Sequence, residues 1–157
     1  MTTPSVSSVS DSMKKRSHPC LNNPTATFEV MDCREIHKAD SRYDAIMCGF
    51  SLPYISKDDA RKLILDASRL LRAEGIIYLS TMEGNEKDLS FDISSSGDRV
   101  FTHFHRGDYL TQYLTRSGFD IIDVKRKTYT KTDERETTDL FIVARFESKS
   151  LVTNFSI

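Results

Sequence analysis

Asp32 is the first residue whose type and position suggest chemistry. It closes the short apolar run from Thr27 to Met31, and a carboxylate at the carboxyl end of a parallel strand faces the crevice in which open α/β sheets bind their ligands. The alternative is an Asp that caps the following turn. His103 and His105 lie two apart in an alternating stretch, Val100 to His105, which places both on one strand face at a spacing that can hold a metal ion. No third ligand lies near them in sequence, so two half-exposed strand histidines and no metal site are expected. Cys20, Cys33 and Cys48 are odd in number and lack C-x-x-C spacing, which points to neither a disulfide framework nor a zinc site. Cys33 and Cys48 then serve as small apolar residues at strand ends. Tyr54 either lines a pocket or packs.

The elements that would position these residues are clearest between Tyr43 and Thr81. Tyr43 to Cys48 is an apolar run with one acid near its start, suited to a strand covered on both faces. Gly49 to Tyr54 forms a loop in which Pro53 keeps Leu52 out of the helical region. Ser56 stands where an N-cap would, ahead of Asp58 and Asp59. From Lys57 to Leu71, Ala60, Leu63, Ile64, Ala67, Leu70 and Leu71 recur at three- and four-residue steps, leaving Arg61, Lys62, Asp66 and Arg69 toward water. Gly75 can take the left-handed conformation that ends the helix, and Ile76 to Thr81 resumes as a strand. Strand, crossover helix and strand imply a right-handed parallel unit.

On either side the pattern is looser. Arg34 to Ser41 is a polar connection with room for one helical turn, and Met82 to Arg99, rich in turn residues and acids, reads as a long loop of the kind that covers a site. Gly107-Asp108 leads into a helix spaced by Tyr109, Leu110, Tyr113 and Leu114, ended by Gly118. Phe119 to Thr130 and Glu136 to Glu147 then form an antiparallel hairpin at a sheet edge, turning at Thr132-Asp133-Glu134.

The chain of 157 residues suits one domain, and 38% hydrophobic residues with nine Phe and six Tyr can fill one core. The organisation expected is a mobile segment over 1–23, a domain over 24–147 and a tail over 148–157. A net charge of −1 with interspersed signs argues against nucleic-acid or membrane-surface partners, Lys14-Lys15-Arg16 being the only basic run. No segment has the roughly 18 apolar residues of a membrane span, and no secretory h-region opens the chain, so a cytoplasmic protein is expected.

Five of these segments, in order, resemble class I S-adenosylmethionine-dependent methyltransferases of the small-molecule type. Phe28 to Cys33 resembles the third strand with its terminal aspartate, and Tyr43 to Ile46 leading into Phe50 to Tyr54 resembles the fourth strand and its loop. Leu70 to Leu79 is similar to the helix end and fifth strand. Gly118 to Ile122 and Thr138 to Arg145 resemble the last two strands. The resemblance implies a Rossmann-like α/β sheet, mostly parallel with a C-terminal antiparallel hairpin. It also implies S-adenosylmethionine as cofactor and a small-molecule acceptor. Asp32 would hydrogen-bond the adenine amino group, with Cys33, Phe50 and Leu52 also on the cofactor side. Tyr54, His105 and Tyr109 would stand on the substrate side, and no catalytic residue is singled out. Val9 to Met13 resembles the segment after the second strand, with Ser8 where the family carries an acid for the ribose hydroxyls, or is a chance similarity.

The family's first strand and its G-x-G loop have no counterpart here: none of the six glycines lies within two residues of another. The resemblance therefore implies an N-terminally truncated member whose S-adenosylmethionine binding is weak or lost. The Tyr43 to Cys48 strand would have an unpaired edge, open to pairing with the Thr27 strand or with another chain, self-association included, or left in a fragment that folds poorly. The two functions in view are methyl transfer to a small molecule and a non-catalytic remnant acting through an interface or without activity.

Overall fold

The computed structural model describes residues 30–84, 90–93, 99–130 and 136–147. The chain divides into two compact units, residues 1–32 and 33–157. Of the first, Val30, Met31 and Asp32 are described; they are exposed and carry no regular structure. The expected Thr27 strand otherwise lies outside the described residues, as do the 1–23 segment, the Thr132 turn and the 148–157 tail.

The second unit opens with a 3-10 segment, Cys33–Lys38, kinked at Glu35. Strand β1 (Tyr43–Cys48), a 3-10 turn (Leu52–Tyr54), helix α1 (Lys57–Leu70) and strand β2 (Leu71–Glu83) follow. A hairpin of β3 (Ser90–Ile93) and β4 (Arg99–Thr102) precedes helix α2 (Gly107–Arg116), and β5 (Phe119–Thr130) and β6 (Glu136–Phe146) complete the order. The main sheet has the order β1-β2-β6-β5. β2 runs parallel to β1, and β6 is antiparallel to both β2 and β5, so β1, β2 and β5 share one direction. This is the mostly parallel sheet with a C-terminal antiparallel hairpin that the sequence implies.

Register explains the core. Ile77, Leu79 and Thr81 of β2 stand opposite Ala144, Ile142 and Leu140 of β6, and all six are buried. Period-two alternation puts them on one face, against Leu63, Ile64 and Ala67 of α1 and Leu110 and Leu114 of α2. Each large aliphatic side chain so buried stabilises the fold by about 1.5–3 kcal/mol. All six apolar positions read onto the helix stripe are buried, but the helix ends one residue early and Leu71 opens β2, which starts well before Ile76. Ser56 caps that helix as expected, its Oγ accepting from Asp59 N at 3.1 Å and donating to Asp59 Oδ2 at 2.7 Å.

Five local expectations are corrected. Asp66 faces inward, not toward water: Lys62 Nζ donates to it at 2.6 Å and also to the Arg34 carbonyl at 2.9 Å, so the 3-10 segment covers that side of α1. Leu52 opens a 3-10 turn despite the proline after it, because Pro53 sits at the turn's start, where its missing N–H is not needed. The left-handed residue is Glu74, with φ of 64° near the start of β2, not Gly75. Gly75 is required for close approach instead, since a Cβ there would lie 2.9 Å from the Arg72 carbonyl oxygen and 3.2 Å from that of Asp44. β1 is not covered on both faces: Tyr43, Ala45 and Met47 alternate onto one face and are exposed, Met47 to 76%, because the core lies on the face that holds Ile46 and Cys48. The long loop after Thr81 contains β3, which pairs with β4, a partner too distant in sequence for local pattern to reveal.

Candidate functional site

The carboxyl ends of β1 and β2 lie side by side, Cys48 opposite Leu79. Beyond them the chain is laced together by three backbone hydrogen bonds and one imidazole. Phe50, held at φ of 47°, donates its N–H to Ser80 Oγ at 2.9 Å. His103 N donates to the Pro53 carbonyl at 2.8 Å, and His105 N to the Met82 carbonyl at 3.1 Å. His105 is 1% exposed. Its Nε2 meets the Leu52 carbonyl at 2.8 Å, and a carbonyl only accepts, so Nε2 carries the proton. Nδ1 is paired with the Tyr109 hydroxyl.

This geometry redistributes the residues singled out from sequence. His103 and His105 are not on one strand face, because β4 ends at Thr102. His103 instead packs edge-on against Phe101, with centroids 4.7 Å apart. Among the described residues no group of three potential ligands could hold a metal ion. His105 and Tyr109 are both buried and tie α2 to the Leu52–Tyr54 turn. Lys57 reinforces this from α1, its Nζ 4.6 Å from the centre of the Tyr109 ring. Leu52 is fully buried, backbone included, its carbonyl bonded to His105. Tyr54 is 66% exposed and Phe50 36%. Phe50 packs edge-on against Phe141, their centroids 6.2 Å apart. Cys33 is half-buried against the core, and Asp32 ends the first compact unit.

Cys48 behaves as the small apolar residue expected. Burial pushes its thiol up to about 11, with Cys33 adding to the rise, so it is protonated and unreactive at neutral pH. Ser51 lies close enough to oppose that rise, yet its Oγ is buried without a well-formed hydrogen bond among the described residues.

A second cluster was not singled out from sequence. Glu83, the last residue of β2, accepts from Arg126 Nε at 2.5 Å, from Arg126 Nη2 at 2.9 Å and from Gly107 N at 2.9 Å. Hydrogen bonding from Arg126 holds its carboxyl below the usual range, and the pairing raises Arg126 in turn. Beside it Asp108 accepts from Tyr109 N at 2.7 Å and from Arg106 Nη2 at 2.5 Å. In the sequence Glu83 falls among the acids of the Met82 to Arg99 loop, and Arg106-Gly107-Asp108 is only a basic-Gly-Asp start to a helix, neither of which is specific.

The fold, with an antiparallel strand inserted between β2 and β5, is similar to that of S-adenosylmethionine-dependent methyltransferases of known structure. Residues 6–79, just under half of the chain, match a methyltransferase domain family. That match takes in the Val9 to Met13 segment, which itself lies outside the described residues. An S-adenosylmethionine-dependent methyltransferase from Mesorhizobium loti is similar in fold, with a TM-score of 0.61, 19% identity, and coverage of 87% of this chain and 77% of that one. One from Methanosarcina mazei has a TM-score of 0.59 at 14% identity, covering 71% of this chain and 64% of its own. The 1,6-didemethyltoxoflavin-N1-methyltransferase of Burkholderia thailandensis, solved with its substrate and S-adenosylhomocysteine, has a TM-score of 0.50 at 18% identity, covering 71% and 48%. This chain thus spans less than two thirds of the length of two of these three. No curated protein sequence matches it. No helix among the described residues is long and apolar enough to cross a membrane.

Proposed function

We propose that the chain is the donor-and-acceptor-positioning part of an S-adenosylmethionine-dependent methyltransferase acting on a small molecule. The observation that carries this reading is the turn at the carboxyl end of β1. Its backbone is fixed by Ser80, His103 and His105 rather than by its own side chains, which is the preorganisation a positioning catalyst needs. The turn also suits a ligand: a Cβ on Gly49 would meet nothing within 4 Å, and Ser51 Oγ is a buried hydroxyl without a well-formed hydrogen bond among the described residues. Phe50 would lie against the cofactor, and Asp32 would accept from the adenine amino group. Cys33, beside Asp32, completes the cofactor side proposed. Tyr54, at 66%, is the more exposed of the turn's two aromatics and the residue proposed to face the acceptor. When bound, S-adenosylmethionine supplies an electrophilic sulfonium methyl, and the protein orients donor and acceptor in line.

The sequence shown contains no G-x-G loop, so this polypeptide should hold the methionine end weakly. Titration calorimetry with S-adenosylhomocysteine tests the reading. Saturable binding weaker than the low micromolar range, about −8 kcal/mol, is expected. Asp32→Ala should lose roughly 1.5–3 kcal/mol of it, the worth of a hydrogen bond to a charged group. The absence of saturable binding would overturn donor binding by this polypeptide.

A second reading, a non-catalytic chain acting through an interface, is favoured by one observation. Among the described residues β1 pairs on one side only, with β2, and the exposed Met47 stands on its uncovered face. A strand edge of that kind is a template for pairing with another chain.

A further inference from the structure

A cavity of about 420 Å³ opens at the carboxyl end of β2, lined by Glu83, Gly84, Arg106, Gly107, Asp108 and Arg126. In open α/β sheets ligands bind at this end of the strands. The formal charges of its wall cancel, two guanidinium groups against two carboxylates, but their hydrogen-bonding capacities do not. A guanidinium has five N–H donors and no acceptor, whereas a carboxylate has about four acceptor sites. Glu83 accepts three bonds here and Asp108 two, so five of about eight acceptor sites are taken. Arg126 spends two donors on Glu83 and Arg106 one on Asp108, which is three of about ten. Both carboxyls are held below their usual range, Glu83 mainly by Arg126 and Asp108 mainly by the Tyr109 N–H, so neither offers a proton at neutral pH.

The surplus is in donors. A Cβ on Gly107 would lie 2.7 Å from Arg126 Nη2 and 2.8 Å from Glu83 Oε1, so the bare glycine is what lets the ion pair seat against the start of α2. Glu83 engages Nε and Nη2 of Arg126, which leaves Nη1 for a ligand in the planar fork that suits oxyanions.

We propose that this cavity binds the anionic oxygen-rich group of a small molecule, a carboxylate or a phosphate, through Arg106 and Arg126, with Glu83 as the residue that positions Arg126. That the molecule is a methyl acceptor rests on the function proposed above; that the cavity takes an anion rests on the cavity alone.

The test is a titration of the ¹⁵N-labelled chain with inorganic phosphate and, separately, with succinate, the ionic strength held constant with sodium chloride. Saturable shifts of the Gly84, Gly107 and Asp108 amides are expected with at least one of the two, and the one that saturates identifies the group. Arg106→Gln and Arg126→Gln should each weaken that binding roughly tenfold, the size of one lost charge-assisted bond. Arg106 is the decisive variant because it is outside the Glu83 tie and its exposed side chain bonds only Asp108 among the described residues, so its loss should leave the fold intact. Saturation by neither anion, or binding unchanged in Arg106→Gln, would overturn the proposal. Titrating the same sample with S-adenosylhomocysteine separates the two readings: donor binding without anion binding rejects the cavity's role alone, and anion binding without donor binding rejects only the acceptor's role in methyl transfer.

Discussion

Replacing His105 with Ala should cost the second compact unit about 3–4 kcal/mol of the 5–15 kcal/mol typical of a domain. The imidazole is completely enclosed and makes two hydrogen bonds, to the Leu52 carbonyl and the Tyr109 hydroxyl. Each contributes about 1 kcal/mol, and truncating the ring leaves a cavity among close-packed neighbours worth about 1–2 kcal/mol more. Urea unfolding followed by far-ultraviolet circular dichroism measures the total, with an unchanged m-value required for the comparison. Tyr109→Phe removes only the hydroxyl and should cost about 1 kcal/mol. Because the two groups bond to each other, the double variant should cost about 1 kcal/mol less than the sum of the singles. Additivity to within about 0.3 kcal/mol would refute the pairing. A loss below about 1 kcal/mol for His105→Ala would refute the view that this residue locks the turn after β1 to α2. A substrate-facing histidine would give that second result, with its effect on turnover and not on stability.

The remaining expectations follow from single contacts. The Glu83 carboxyl is depressed below its ordinary 4.5 by Arg126, so its stabilisation is present above that value and is lost as pH falls through the lower folded-state value. The stability gap between wild type and Glu83→Gln should therefore close on acidification below about 4.5, and a gap constant from pH 7 to 3 would contradict it. Ser56→Ala should lower stability by about 1 kcal/mol through the α1 cap, measured in the same urea assay; no change would remove the cap from the account. If the β1 edge pairs with a second copy, sedimentation should show concentration-dependent association that Met47→Lys abolishes, whereas a monomer at every concentration would sink the interface reading.

The helix α1 was legible because three independent local signals agree on it: the apolar spacing from Ala60 to Leu70, the Ser56 cap, and the acids in its first turn. The β5–β6 hairpin was legible for a similar reason, its two long alternating runs having no competing pattern. With β1 and β2, these elements also carried the likeness to the methyltransferase fold. What sequence could not decide is where two segments distant in the chain meet. Asp66 reads as a solvent-facing acid until the Cys33–Lys38 segment covers it. Gly75 reads as the left-handed residue until Glu74 takes that conformation and the approach of Asp44 and Arg72 gives the glycine another reason to be there. His105 changed most, from a strand histidine to an internal tie between residues 53 apart in the chain. Glu83 and Arg126, 43 residues apart, are common surface types with no local signature. Only the register of β2 against β6, and of β6 against β5, brings them to one end of the sheet, where charge and geometry together make a site.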